Sequence, residues 1–397
     1  MLSICFVSQE YPEETGWGGI GTYTYEMAHG LARAGHKVIV LSRALIEPGH
    51  KIETDNVEVY RILPSLNVDS VPVVWRLNRW WEGYRLAVAI KLREIMRERE
   101  IDVLESPELH AEPLLFSTLH SHPPLVVRLH SGSRVLSGFE SNLPNQVKLN
   151  RRAENWLIRK ATHVTAPSRA LRDSLNGERG NRPLTVIPNP VDIDHFKPGL
   201  DASDSGAAPN ILCVGRPRLL KGIHVLARAI PQVWNEIPEA TFTFVPAPMG
   251  KSGGSPRSAY QEFLGELIED PRVRITEPVS RAEMPDIYRD ATLCVVPSLW
   301  EGFGYVAAEA MACGVPVIAS RTSGLAEIVD DGESGLLFET ENSNELEQAM
   351  VKLIQDDERR SQIASAARQR IVEKFAGALI TSQMANLYSQ IALGERA

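Results

Sequence analysis

Two segments in the second half of this chain carry side chains suited to gripping an anion and a polyol. The first is Gly215-Arg216-Pro217-Arg218-Leu219-Leu220-Lys221-Gly222. It follows a strand-like run, Asn210–Val214, and leads into helical spacing. Three cations therefore occupy the loop at the carboxyl end of a strand, where open α/β sheets bind ligands. The macrodipole opposes cations at a helix N-terminus, so placing them there points to a shared anion, most simply a diphosphate. Three solvated side chains on a surface loop are the plain alternative, and the location favours phosphate over it.

The second segment runs from Pro297 to Gly314: Pro-Ser-Leu-Trp-Glu-Gly-Phe-Gly-Tyr-Val-Ala-Ala-Glu-Ala-Met-Ala-Cys-Gly. A strand ends at Pro297, a loop with two glycines follows, and a helix of small residues starts near Tyr305 and stops at Gly314. The glycines let a ligand approach the backbone, and the free N–H groups at the helix start favour oxygen-rich or anionic groups. Glu309 is a carboxylate among Ala, Val, Met and Cys, and a buried unpaired carboxylate is costly. Two readings stand level: an exposed or Arg-paired glutamate, or a carboxylate accepting hydrogen bonds from vicinal hydroxyls such as those of a ribose.

Other candidates are weaker alone. Gly16-x-Gly18-x-x-Gly21 matches the dinucleotide fingerprint, but it begins eight residues after the first strand ends. Ser42-Arg43 stands where an acidic ribose ligand would be expected. That disfavours an NAD enzyme and leaves an NADP-dependent oxidoreductase, with Arg43 on a 2′-phosphate, as a minor alternative. His130 ends a strand-like run and would face a crevice; His110 lies in Glu108-Leu-His-Ala. A lone histidine is more often structural. The chain has no H-E-x-x-H, Walker A loop or G-x-S-x-G elbow, so metalloprotease, P-loop NTPase and serine hydrolase chemistries lose support.

The elements that must position these residues repeat one grammar. Residues 2–7 read as a strand, 16–21 as a glycine loop, about 22–34 as a helix and 36–41 as a strand. Strand 210–214, loop 215–221, helix 222–235 and strand 241–245 restart the pattern about 200 residues later. Short apolar strands at 125–129, 185–187, 293–296 and 315–319 alternate with helical patterns, as in parallel sheets covered on both faces. The expected architecture is two doubly wound, Rossmann-like α/β domains facing across a cleft: residues 1–197 and 210–375, joined by a Pro/Gly/Ser/Ala-rich stretch at 197–209. A final helix, about 376–397, is expected to pack back on the first domain.

Composition bounds the rest. The 397 residues carry 42 Lys plus Arg against 50 Asp plus Glu, a net of −8, which argues against a nucleic-acid partner. Residues 1–195 hold 23 basic and 23 acidic groups, so the whole deficit lies beyond them. No apolar run approaches a membrane span and the N-terminus lacks a basic n-region, so a cytoplasmic protein is expected. The four cysteines are dispersed and form no C-x-x-C pair, which predicts buried thiols rather than a disulfide or metal site. Two basic, Trp-bearing stretches, 75–99 at +4 and 148–172 at +6, read first as ordinary amphipathic helices with solvated arginines, or as a face for an anionic acceptor. Peripheral contact at an anionic membrane face is the less favoured alternative.

Taken together, these residues resemble the family-4 retaining glycosyltransferases, also called glycosyl transferases group 1, of the GT-B fold. The resemblance rests on Gly18-Gly19-Ile20-Gly21, on Pro188-Asn189-Pro190-Val191-Asp192 with Phe196, and on Gly215-Arg216 with Lys221-Gly222. It is strongest at Glu301-x7-Glu309 with Gly302-Phe303-Gly304, and continues through Ala310–Ala319 and Glu327-Ile328-Val329. It implies a nucleotide-diphosphate sugar donor, UDP- or GDP-linked, and a glycan, lipid-linked or small-molecule acceptor. Arg216 and Lys221 would hold the diphosphate, Glu309 the ribose hydroxyls, and Glu301 with the Phe303 and Gly304 amides the transferred sugar. Gly18 and Gly19 would admit phosphate, and His130 matches the family's cleft histidine. The family implies no metal and no further cofactor. The chain departs from the family pattern at Glu277-Pro278, beside the expected nucleobase, and at Ser323-Gly324, where Gly-Gly is common. A non-catalytic nucleotide-sugar binder on the same fold is the other alternative.

Overall fold

The computed structural model describes residues 1–64, 79–139, 145–175, 177, 180–199, 208–246 and 255–394. The chain forms two compact units, one of Met1–Pro190 with Gly377–Ala397, the other Val191–Ala376.

The first unit begins β1 (Ser3–Val7), α1 (Gly19–Arg33) and β2 (Lys37–Arg43), followed by β3 (Gly49–Ile52) and β4 (Glu58–Ile62). Next come α2 (Arg79–Glu98), β5 (Val103–Pro107), α3 (Leu114–Leu119), β6 (Leu125–Arg128), α4 (Ser133–Phe139) and α5 (Asn145–Lys160). It continues with β7 (His163–Ala166), α6 (Arg169–Asp173) and β8 (Leu184–Val186). The sheet order is β3-β4-β2-β1-β5-β6-β7-β8, parallel except for the exposed edge strand β3. The order in which strands are added reverses between β1 and β5, so the loops after those strands border the sheet's switch point.

Helix α1 starts at Gly19 rather than at residue 22, because Gly18 caps it and the Thr22 N–H already donates to the Gly18 carbonyl at 2.8 Å. The glycine loop is thus partly the helix's first turn.

The second unit holds β9 (Asn210–Val214), α7 (Ile223–Glu236), β10 (Thr241–Val245), α8 (Pro256–Leu264), β11 (Val273–Ile275), α9 (Met284–Arg289) and β12 (Leu293–Val296). It is completed by α10 (Tyr305–Ala312), β13 (Val317–Ser320), α11 (Leu325–Ile328), β14 (Leu336–Phe338), α12 (Ser343–Gln355) and α13 (Asp357–Lys374). Its sheet, β11-β10-β9-β12-β13-β14, is parallel throughout, with the switch between β9 and β12. The two segments singled out for chemistry therefore leave the carboxyl ends of adjacent strands.

The division at Pro190 falls seven residues before residue 197, the expected end of the first domain. Val191 and Phe196 are buried in the second unit's core, and the Arg368 guanidinium holds the Phe196 and Ile193 carbonyls. Most of the linker, residues 200–207, lies outside the described residues.

The last helix, α14 (Gly377–Gly394), belongs to the first unit. Ile380, Met384 and Tyr388 join Tyr23, Met27 and Leu31 of α1 in one core. A Cβ at Gly30 would lie 2.4 Å from Thr381 Oγ1, so the glycine permits this close helix contact. The Tyr388 and Tyr23 hydroxyls both donate to the buried Glu105 carboxylate of β5. All four cysteines are buried free thiols, and burial pushes those of Cys5 and Cys213 up to about 12.

Candidate active site

In the second unit the loops after β9 and β12 are stitched together. The Leu299 N–H donates to the Leu220 carbonyl at 2.8 Å. Gly222 sits at φ 66°, and a Cβ there would lie 1.8 Å from the Pro297 carbonyl oxygen. Only glycine satisfies both the left-handed backbone and the close approach. This contact brings Lys221 to Glu301: Lys221 Nζ donates to Glu301 Oε1 at 2.5 Å, and Ser298 Oγ donates to the same oxygen at 2.9 Å. The backbone of Glu301 is anchored in turn by its N–H to Ser323 Oγ, 2.8 Å, and by its carbonyl to the Gly324 N–H, 3.0 Å. The side chains of Lys221 and Glu301 remain 33% and 17% exposed, so both reach solvent.

Arg216 and Arg218 share this loop and are exposed; among the described residues neither pairs with a carboxylate. The structure thus joins Lys221 to Glu301 and leaves Arg216 beside them in sequence without a contact to either glutamate.

Gly302, Phe303 and Gly304 lead into α10, whose first-turn N–H groups have no acceptor within the helix. Gly304 has φ 115°, and a Cβ there would lie 2.7 Å from Leu325 Cδ2. Phe303 contributes only backbone to this edge. Its ring is buried in the core, edge-on to Tyr305 and Phe375.

Glu309 lies on α10, side chain 13% exposed, while Ala307, Ala308, Ala310 and Met311 are buried. Tyr288 Oη donates to its Oε2 at 2.8 Å, and Arg281 Nη1 stands 3.9 Å from its Oε1. Burial raises the Glu309 carboxyl above its ordinary value, against the opposing pull of Arg281 and Tyr288. Arg281 is itself held over the Phe196 ring at 5.1 Å. A hydrogen bond of 2.9 Å joins its carbonyl to His195 Nε2.

The first unit concentrates polar groups at the carboxyl ends of β1, β5 and β6. A Cβ at Gly18 would meet Glu10 Oε2 at 2.5 Å, whereas Gly19 faces open space. The His130 ring lies edge-on to Tyr23 at 5.0 Å, and burial, aided by the charge of Arg128, pushes its pKa well below the ordinary histidine value. Its loop is held by two buried carboxylates. Glu108 accepts the His130 and Gly132 N–H groups, and Glu154 accepts the Ser133 N–H, the Ser133 hydroxyl and the His110 N–H. Burial raises Glu108 to about 7 and Glu112, which accepts the Gln9 N–H, to about 8.

His110, at φ 65°, stacks on Trp81 at 3.6 Å and is held near pKa about 3 by burial and the charges of Arg85 and Arg43. Arg43, proposed for a 2′-phosphate, is turned into this cluster, where its charge acts on Tyr84, His110 and Glu112. Among the described residues no group of three His, Cys, Asp or Glu side chains is arranged to hold a metal.

The profile described as Glycosyltransferase Family 4 matches residues 17–195, and that described as Glycosyl transferases group 1 matches residues 208–356. The D-inositol 3-phosphate glycosyltransferase of Nocardiopsis dassonvillei is 30% identical over 383 residues, covering 88% of this chain and 84% of that protein. The chain belongs to the family-4, group 1 glycosyltransferases. The glycogen synthase of Mycobacterium tuberculosis is 26% identical to this glycosyltransferase over 413 residues, covering 100% of this chain and 96% of that protein. Its GT-B fold matches that of the sucrose-phosphate synthase from Thermosynechococcus elongatus with a TM-score of 0.84 at 23% identity, over 99% of this chain and 100% of that one.

In this glycosyltransferase the groups that sequence reasoning passed over are the partners of the acids. Arg281 and Tyr288 reach Glu309 from 28 and 21 residues away, and Ser298 and Ser323 hold Glu301. Ser323 was visible only as a departure from Gly-Gly, yet its hydroxyl accepts the Glu301 N–H. Ser298 stood three residues before Glu301 and was the one readable signal. Glu108 and Glu154, which fix the His130 loop, belong to none of the motifs read from the sequence.

Proposed function

We propose that this glycosyltransferase moves a sugar, with retention of anomeric configuration, from a UDP- or GDP-linked donor to a hydroxyl of a glycan, lipid-linked or small-molecule acceptor. The observation that carries the reading is the Lys221–Glu301 contact at the switch point of the second sheet, with Glu309 on the helix that follows. Lys221 and Arg216 neutralise the diphosphate, and Glu309 accepts the ribose hydroxyls. Glu301, with the Phe303 and Gly304 amides, orients the transferred sugar. Gly18 and Gly19 admit phosphate to the first unit, and His130, neutral at physiological pH, hydrogen-bonds the sugar or the acceptor.

The anomeric C–O bond breaks with its electron pair leaving on the diphosphate, whose charge the two cations stabilise electrostatically. The acceptor oxygen bonds to the anomeric carbon from the leaving-group face, and its proton passes to a diphosphate oxygen. No protein-bound metal or further cofactor enters this scheme. The acceptor is assigned to the polar cluster of the first unit; the names of the relatives, an inositol phosphate enzyme and a glycogen synthase, support a polyol or glycan there.

The deciding experiment incubates the purified protein with UDP-, GDP- and ADP-sugars and follows donor loss and product anomer by NMR. Turnover of one donor with a retained anomer supports the reading. Binding without turnover would leave a nucleotide-sugar binder, and an inverted anomer would overturn the mechanism.

A further inference from the structure

The two basic, Trp-bearing stretches look alike in composition and differ in three dimensions. On α2 three of the residues are used internally, while Arg93 and Arg97 are exposed: Tyr84 is fully buried, Arg85 is 4% exposed and donates to the His110 carbonyl, and Trp81 stacks on His110. On α5 they face outward. Asn150, Glu154, Leu157 and Ile158 form its buried face, while Leu149, Arg152, Trp156, Arg159 and Lys160 are exposed. These five share one side of the helix, at spacings of three, four and seven. Trp156 is 53% exposed. The helix carries five cations and one acid, Glu154, and that acid points inward to Ser133 and His110. Arg182 folds over the helix end, its Nε donating to the Arg159 carbonyl at 2.8 Å. Together these side chains line a pocket of about 610 Å³ bounded by Arg152, Asn155, Trp156, Arg159, Lys160 and Arg182.

Cations in the last turn of a helix offset its macrodipole, which accounts for Arg159 and Lys160. It does not account for Arg152 near the middle or for the half-exposed indole one turn on from it. An exposed indole beside arginine and lysine, on a helix whose own acid is buried, is the arrangement of a helix lying on an anionic bilayer. The charge complementarity selects that occupant: a phosphodiester headgroup fits among the cations, while Trp156 and Leu149 meet the acyl boundary.

We propose that the outer face of α5 docks this glycosyltransferase on an anionic phospholipid surface, with a lipid phosphate in the Arg152–Arg182 pocket and Trp156 at the headgroup–acyl boundary. This surface is separate from the residues assigned to sugar transfer, and the proposal stands whichever donor or acceptor is used.

The test is co-sedimentation of the full chain with vesicles of phosphatidylcholine alone, or of phosphatidylcholine with about one third phosphatidylglycerol. The protein is expected to pellet only with the anionic vesicles and to be released as salt is raised to about 0.5 M, which shortens the Debye length. Replacing Arg152 and Lys160 by Glu is expected to lower partitioning at least about tenfold. Trp156→Phe is expected to abolish a vesicle-induced blue shift of tryptophan emission. All three side chains are exposed, so donor turnover and the thermal midpoint should not change; the single variant Lys160→Glu serves if the double variant is unstable. Equal partitioning onto neutral vesicles, no pelleting, or charge-reversed variants that still pellet would overturn the proposal. So would a thermal shift with inorganic phosphate in the absence of vesicle binding, which would assign the pocket to a free anion.

Discussion

Replacing Glu309 by glutamine tests the ribose assignment without changing the shape of α10. The carboxylate receives Tyr288 Oη at Oε2 and faces Arg281 across 3.9 Å at Oε1, which leaves further lone pairs for two ligand hydroxyls. Hydrogen bonds to a charged acceptor contribute about 1.5–3 kcal/mol, so loss of that charge predicts a decrease of about 10- to 100-fold in affinity for the nucleoside diphosphate. Isothermal titration with the ribonucleotide and its 2′,3′-dideoxy analogue, on wild type and Glu309→Gln, closes a cycle. The wild type should lose affinity for the dideoxy ligand, and the variant should barely distinguish the two.

The sign of the pH dependence follows from the same contacts. Burial raises the Glu309 carboxyl above its ordinary 4.5. Affinity is therefore present while the group is ionised and is lost as pH falls through that raised value. Arg281→Met removes a cation that favours the ionised form, so the loss should begin at higher pH. If wild type and Glu309→Gln lose the same affinity on removal of the two hydroxyls, Glu309 does not contact the ribose.

Three further outcomes are expected. Lys221→Ala should lower turnover by about 100- to 1,000-fold, the usual cost of removing one preorganised charge-stabilising donor, with an unchanged circular dichroism spectrum; near-normal turnover would remove Lys221 from the leaving-group site. Glu112 is fully buried with a carboxyl raised to about 8, so the folded state holds its proton more tightly than the unfolded chain. That contribution is complete below the unfolded value and disappears as pH rises toward 8, so urea titrations should show Glu112→Gln more stable than wild type by about 4 kcal/mol at pH 8 and by less than about 1 kcal/mol at pH 5. Gly222→Ala places a Cβ 1.8 Å from the Pro297 carbonyl oxygen in a left-handed backbone and should yield insoluble or strongly destabilised protein; a soluble variant with a wild-type melting curve would contradict the loop contact.

What was legible in the sequence was local. The segments 215–222 and 297–314 announce themselves because cations, glycines and a carboxylate stand close together at strand ends. The apolar runs of β9, β10 and β12 mark buried parallel strands with correct bounds. What was hidden depends on distance or on direction. Strand β3, Gly-His-Lys-Ile, is an exposed edge with no apolar pattern to betray it. The unit boundary at Pro190 follows the burial of Val191 and Phe196 in the second unit's core, where Arg368 of α13 reaches the Phe196 carbonyl across 172 residues. Glu105 reads as an ordinary acid until Tyr388 reaches it across 283 residues. Composition likewise cannot tell α2 from α5; only the turn of each helix against its neighbours decides which tryptophan and which arginine remain outside.

The pairing of Lys221 with Glu301 has a consequence opposite in sign to the loss expected from removing a contact residue. Both side chains reach solvent, and a part-exposed ion pair of this kind contributes only about 0–1 kcal/mol. A charge-assisted hydrogen bond from the ammonium to a diphosphate oxygen contributes about 1.5–3 kcal/mol, so on the proposed function an arriving donor is expected to draw Lys221 off the carboxylate at little cost. Glu301 is expected to stay in place. Its Oε1 still receives Ser298 Oγ, and its backbone is pinned at Ser323 and Gly324. The exchange would thus free a carboxylate lone pair for a hydroxyl of the transferred sugar. In Glu301→Ala, Lys221 has no competing partner, and a like charge beside the diphosphate is gone. The bare nucleoside diphosphate should then bind this variant as tightly as wild type or a few-fold tighter, by up to about 1 kcal/mol, while turnover of the intact donor falls steeply. Titration and single-turnover assays on the same preparation separate the two. Parallel losses of nucleotide affinity and turnover would mean that Glu301 supports the loop as a whole, and that the ion pair is structural.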